Sequence, residues 1–116
     1  MNGEKIKQIS KKETINTVEK PIGTFRTTMA YNEKSMMCHF IMKKGAKIPL
    51  HKHDAVQNGY VIHGKIKFFR KDGNSFIAES GSGYVFDSNE IHGAEALEDS
   101  EFVECFSPLR PEFTVK

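Results

Sequence analysis

No window of this chain carries the 3.6-residue apolar period and the capping residues of an amphipathic helix. Short apolar runs recur instead, divided by turns that carry glycine or aspartate. Residues 25–31, 35–42, 60–62, 66–69, 75–78, 84–86 and 102–106 read as strands. Lys43-Lys44-Gly45 reads as a turn, and His63-Gly64 as the turn that pairs 60–62 with 66–69. Lys71-Asp72-Gly73-Asn74 is a strong hairpin signal, because these residues tolerate the positive φ of a tight turn. Pro49 confines its own strand to a start, an edge or a bulge. Many short, evenly spaced strands of this kind predict an all-β sandwich or barrel.

The chain has 116 residues, enough for one domain with a real core. Residues 1–13 are polar and lysine-rich (Lys5, Lys7, Lys11, Lys12) and read as a flexible, solvated arm ahead of a single domain over 14–116. The formal charge is +2, from 17 basic and 15 acidic residues. That bias is too small and too scattered to point to nucleic acid. No apolar run is long enough to span a bilayer and no signal-peptide core opens the chain, so a cytoplasmic protein is expected, with no membrane partner. Cys38 and Cys105 lie in apolar runs and read as buried free thiols. The five methionines read as core filler.

Candidate metal ligands concentrate in two stretches. His51 and His53 are two residues apart, and on an extended strand such residues face the same side. Gln57 follows once the chain has turned at Asp54-Ala55. His92 sits in a second turn that leads into another strand. Three imidazoles and one amide oxygen make a mixed N/O site with open positions, suited to a divalent Zn, Fe, Mn, Ni, Co or Cu ion. Gln57 also reads as a structural, hydrogen-bonded glutamine in a protein that binds metal through histidines alone, or not at all. An amide cancels none of an ion's charge and cannot act as a base, so such a site is a strong Lewis acid whose proton transfers need another residue. His39 and His63 fall outside the two stretches and read as an ordinary strand histidine and an exposed turn histidine.

The spacing resembles the cupin superfamily. Its first motif, glycine, five residues, His-x-His, three or four residues, glutamate, six residues, glycine, is matched by Gly45, His51, His53, Gln57 and Gly64. Its second motif, glycine, five residues, Pro-x-Gly, two residues, histidine, is matched in spacing by Gly81, Asp87, Asn89 and His92. Gln57 replaces the usual glutamate, Asp87 the proline, and Ala96 the final asparagine. The resemblance covers residues 35–108. It implies a double-stranded β-helix, the jelly-roll cupin barrel, with a metal held by these residues. Small single-domain cupins commonly pair, and the exposed apolar content of the first strands suits a homodimer.

From within the last strand onward the chain reads Glu104-Cys105-Phe106-Ser107-Pro108-Leu109-Arg110. Alternation puts Glu104 and Phe106 on one face. A buried acid is expensive in a dry core and reasonable in a polar, metal-bearing cavity. Arg110, just beyond, is placed to hold an anion bidentately. Together with Gln57, this tail is similar to small bacterial cupins of the KdgF type, which act in pectin and alginate breakdown on 4,5-unsaturated monouronates. That resemblance implies active-site roles for Glu104, Phe106 and Arg110, with glutamate here one methylene longer than the family's aspartate.

The expected function is that of a metal-dependent enzyme acting on a small, oxygen-rich, anionic sugar derivative, by ring opening and ketonisation. A metal-dependent dioxygenase and a non-catalytic sugar-binding module are the alternatives. Dependence on oxygen separates the first alternative, and ligand binding without turnover the second.

Overall fold

The computed structural model describes residues 8–115. Their ten strands are β1 (Val18–Glu19), β2 (Thr24–Tyr31), β3 (Met36–Met42), β4 (Lys47–His51), β5 (Val56–His63), β6 (Lys65–Arg70), β7 (Ser75–Glu79), β8 (Gly83–Phe86), β9 (His92–Ala96) and β10 (Ser100–Ser107). Two single 3₁₀ turns, Lys12–Thr14 and Pro111–Phe113, are the only helical elements among the described residues. No helix there is long and apolar enough to cross a membrane. The strands form two antiparallel sheets, one in the order β1-β2-β3-β10-β5-β8 and the other β4-β9-β6-β7. The predicted all-β double-stranded β-helix is the observed architecture.

Period-two alternation builds the core between the sheets. On β3, Met36, Cys38, Phe40 and Met42 are buried, while Met37 between them is exposed. On β10, Ser100, Phe102, Glu104 and Phe106 point inward. The other sheet contributes Ile66, Phe68, Ala78, Ala94 and Ala96. Phe40 stacks on Phe102 with centroids 5.1 Å apart. Each large apolar side chain buried this way contributes roughly 1.5–3 kcal/mol.

The Asp72-Gly73 turn closes the β6–β7 hairpin as expected, with Gly73 at φ 87°. The segments 60–62 and 66–69 do not pair with each other. β5 bonds to β8 and β10, and β6 to β7 and β9, so the intervening turn hands the chain from one sheet to the other. Gly64, at φ 105°, takes that corner, where a Cβ would collide with Ser100. A two-residue hairpin and a sheet-to-sheet corner share the same local turn residues, which is why the sequence signal misled.

β1 has no counterpart among the predicted strands, whereas the strand expected at His51 is β4, which stops before His53, and the strand expected after the His92 turn is β9, which His92 itself opens. β4 carries lysine and proline, and β9 reads His-Gly-Ala-Glu-Ala, so neither shows an apolar alternation. Of the predicted arm, residues 1–7 lie outside the described residues. Farther along, Ser10 Oγ donates to the Met29 carbonyl at 2.6 Å.

Candidate metal centre

β4, β5 and β9 deliver the predicted ligands to one place. His51 ends β4, His53 lies in the following connection, Gln57 is the second residue of β5, and His92 opens β9. His51 and His92 are direct partners across the β4–β9 ladder. That ladder needs Gly93, because a Cβ there would lie 2.8 Å from the Ile48 carbonyl oxygen. Asn89 adopts φ 62° in the turn before His92, where the second cupin motif has glycine. One ring nitrogen from each of His51, His53 and His92 lies within 4.8 Å of the other two.

The three imidazoles are held in one tautomer. His51 Nδ1 donates to the Pro49 carbonyl at 2.9 Å, His53 Nδ1 to the Ala55 carbonyl at 2.8 Å, and His92 Nδ1 to the Glu90 carbonyl at 2.7 Å. A carbonyl only accepts, so each Nδ1 bears the proton and each neutral ring keeps its Nε2 lone pair. Burial pushes the His92 pKa down to about 4 and lowers that of His53, which keeps both rings neutral near pH 7. Gln57 Oε1 lies 2.9 Å from His53 Nε2 and 3.2 Å from His92 Nε2. Acceptors therefore converge with no proton between them, and that arrangement calls for a cation. The donor set fits a divalent transition metal, held by His51, His53 and His92 with Gln57 Oε1 beside them.

Gln57 faces two ways. Its Nε2 donates to Glu104 Oε2 at 2.7 Å, and Tyr84 Oη donates to the same oxygen at 2.6 Å. Glu104 is buried, and desolvation raises its pKa to about 7 against the lowering pull of Tyr84, Gln57 and Arg110. With both donors on Oε2, Oε1 is the oxygen left for the cavity that Glu104 lines. Tyr84 reaches Glu104 across Gly59, which sits between them in the β8–β5–β10 register. A Cβ on Gly59 would overlap the phenol.

Phe106 meets His53 edge-on at 5.9 Å. Arg110 caps Phe106, its guanidinium carbon 5.2 Å from the ring centroid, and Arg110 Nη2 also bonds Glu112 Oε2 at 3.0 Å. The Pro111–Phe113 turn folds back over this end, anchored where Thr28 Oγ1 donates to the Phe113 carbonyl at 2.6 Å. The cavity measures about 900 Å³ and is lined by His51, Gln57, His92, Glu104 and Arg110 among others. Every site residue predicted from sequence thus lies in or against this one cavity.

His39 and His63 lie apart from it and share Glu101, at 2.6 and 3.2 Å. Cys38 is buried and Cys105 half-buried, both free. Tyr84, Gly59, Arg26 and Phe113 were not foreseen. An isolated glycine in the middle of β5 was the available sign that another group crosses there.

A family model described as the cupin domain matches residues 38–106. The pectin degradation protein KdgF of Dickeya dadantii is 33% identical over 93 residues, spanning 78% of this chain and 84% of that one. The structure of KdgF from a Halomonas species superposes with a TM-score of 0.83 at 26% identity, covering 91% of this chain and 97% of its own. An RmlC-like cupin from Shewanella frigidimarina superposes with a TM-score of 0.85 at 24% identity, over 92% of this chain and 96% of its own, and bears on the fold alone.

Proposed function

The chain belongs to the cupin domain family, and on that premise we propose that it is a metal-dependent enzyme that opens and ketonises a 4,5-unsaturated monouronate. One observation carries the reading. A buried carboxyl whose pKa lies near 7, Glu104, shares a cavity with a three-histidine cluster and an arginine. The KdgF relative, a pectin degradation protein, supports the substrate class.

The ring opening balances without a co-reactant. Glu104 Oε1 takes the proton from the anomeric hydroxyl, the bond from the anomeric carbon to the ring oxygen breaks, and the electron pair passes to that oxygen as an enolate. The same proton then returns to C4, leaving a ketone at C5. Glu104 suits both halves because its pKa lies near the working pH. A bound divalent ion would supply electrostatic stabilisation of the negative charge developing on oxygen. Tyr84 and Gln57 hold the carboxylate in place, Arg110 receives the substrate carboxylate, and Phe106 with Phe113 excludes water.

The test uses metal-loaded protein and unsaturated galacturonate, followed by loss of the enoic chromophore. Turnover that persists under argon supports the reading over a dioxygenase. Binding without turnover, or an undiminished rate after the metal is stripped, refutes it.

A further inference from the structure

The protein's own carboxylate half-occupies the Arg110 fork. Arg110 Nη2 donates to Glu112 Oε2 at 3.0 Å. Arg110 Nε is buried and has no hydrogen-bond partner. Nε and Nη2 share one edge of the guanidinium plane, the edge that a carboxylate can grip with both oxygens. Glu112 takes one nitrogen of that edge and leaves the other bare. Both residues line the cavity.

Arg110 keeps its place without Glu112. Its guanidinium carbon lies 4.1 Å from the Phe113 ring centroid and 5.2 Å from that of Phe106. The Glu112 side chain is 57% exposed against 15% for Arg110, so its carboxylate can leave the fork at little cost. The turn that carries it is tied down independently. The Phe113 N–H donates to the Arg110 carbonyl at 2.9 Å, and Thr28 Oγ1 donates to the Phe113 carbonyl at 2.6 Å.

Arg26 offers the displaced carboxylate a second cation. Its guanidinium carbon lies 4.0 Å from the centroid of the same Phe113 ring, and its Nε is buried without a partner. Burial lowers the Arg26 pKa, and the negative charge of Glu112 acts in the opposite direction. A substrate carboxylate on the Nε–Nη2 edge of Arg110 sets a second negative charge beside Glu112, and the two repel.

We propose that Glu112 is an internal anion that holds the Arg110 fork until a substrate carboxylate displaces it, and that Glu112 then turns to Arg26. The exchange makes Glu112 a specificity-determining residue. A neutral sugar brings no charge to displace it, whereas a monouronate does. The proposal rests on the uronate reading and deepens it, because it names what the substrate acid must outcompete.

Calorimetric titration of the metal-loaded protein with galacturonate and with neutral galactose tests the exchange, in the native sequence, Glu112→Gln, Arg26→Gln and the double variant. Glu112→Gln should bind galacturonate about fivefold more tightly and change galactose binding by less than about twofold. Arg26→Gln should weaken galacturonate binding about threefold in the native sequence and have no effect beside Glu112→Gln, since no displaced carboxylate then needs it. Arg26→Lys should bind as the native protein does, because it keeps the charge. Unchanged, weaker or absent galacturonate binding by Glu112→Gln overturns the proposal, because Glu112 then only orients Arg110. An Arg26→Gln effect of equal size in both backgrounds overturns the turn to Arg26. Turnover of unsaturated galacturonate, measured in parallel, reports on the enzymatic reading separately. Tighter acid binding without turnover refutes only that reading, and turnover with unchanged acid binding refutes only the role of Glu112.

Discussion

Gln57 and Glu104 are joined by a 2.7 Å hydrogen bond in which the amide donates to the carboxylate. The other end of the amide turns its oxygen toward His53 and His92. The departure from the family's glutamate is therefore matched by its neighbour. A carboxylate at 57 would face the Glu104 carboxylate directly, and the two would have to share a proton. Gln57→Glu should tighten metal binding, seen as slower loss to a chelator. It should also lower kcat by about 100-fold or more, because Glu104 no longer releases its proton near neutral pH. A variant at native rate would remove Gln57 from the proton path.

Tyr84 donates to Glu104 and draws its pKa down against the larger effect of burial. Removing that donor raises the pKa. If ionised Glu104 begins the reaction, activity climbs as pH rises through its pKa, and Tyr84→Phe should shift this limb to higher pH. The phenyl ring still fills the space over Gly59, so folding should survive. A pH–rate profile that stays in place would confine Tyr84 to a packing role. Gly59→Ala should be more damaging, because its Cβ displaces the phenol from Glu104.

How much of this was legible in the sequence follows from the range of the interactions. The ligands are held by turns whose spacing is local: Gly45, Gly64 and Gly81 all adopt positive φ, and Asn89 does so in place of a motif glycine. The inward face of β10 was legible for the same reason, since strict alternation fixes Glu104 against Cys105. Tyr84 was not, although it lies two residues from the buried Phe86, because its role depends on Gly59 and Glu104 in two other strands. Arg26 was not, because its partner ring arrives from the far end of the chain. β4 and β9 were expected only from the ligand spacing and without bounds, because ligands and glycine replace the apolar alternation that marks a strand.

Glu104 should also mark the stability of the metal-free protein. Burial raises its pKa to about 7 from an ordinary value of 4.5, so the folded state binds its proton more tightly than the unfolded state does. That contribution is complete below the unfolded value and is lost as pH rises toward 7. His92, lowered to about 4 from 6.5, gives a slope of the opposite sign between those values. Glu104→Gln should isolate the Glu104 part. Relative to the native protein, the variant should gain up to about 3 kcal/mol in urea unfolding between pH 4.5 and 7.5. Parallel curves for the two proteins would show that Glu104 ionises without cost.

The outer face of the six-stranded sheet should be where two copies meet. Met37, Tyr60, Ile62 and Val85 are each about half exposed there, on β3, β5 and β8. Half-exposed apolar side chains gathered on one sheet face suit an interface between copies. Light scattering should report a dimer, and Tyr60→Lys with Ile62→Lys should yield a folded monomer. A monomeric native protein at micromolar concentration would refute the pairing.

The three-histidine cluster predicts how the protein responds to losing a metal. Its Nδ1 atoms are committed to carbonyls, so the Nε2 lone pairs face one another whether or not an ion lies between them. Metal binding should therefore raise folding stability by about 2.7 kcal/mol at a free metal concentration 100 times Kd. His92→Ala should abolish both this thermal shift and turnover. Arg110→Ala should keep the shift, raise KM and change kcat less, because it removes a substrate contact and no ligand. The metal-free protein should remain folded, since the core around Phe40, Phe102 and Phe86 does not depend on the ion. A chelated sample that keeps its thermal midpoint and its full rate would show that the histidines serve packing alone.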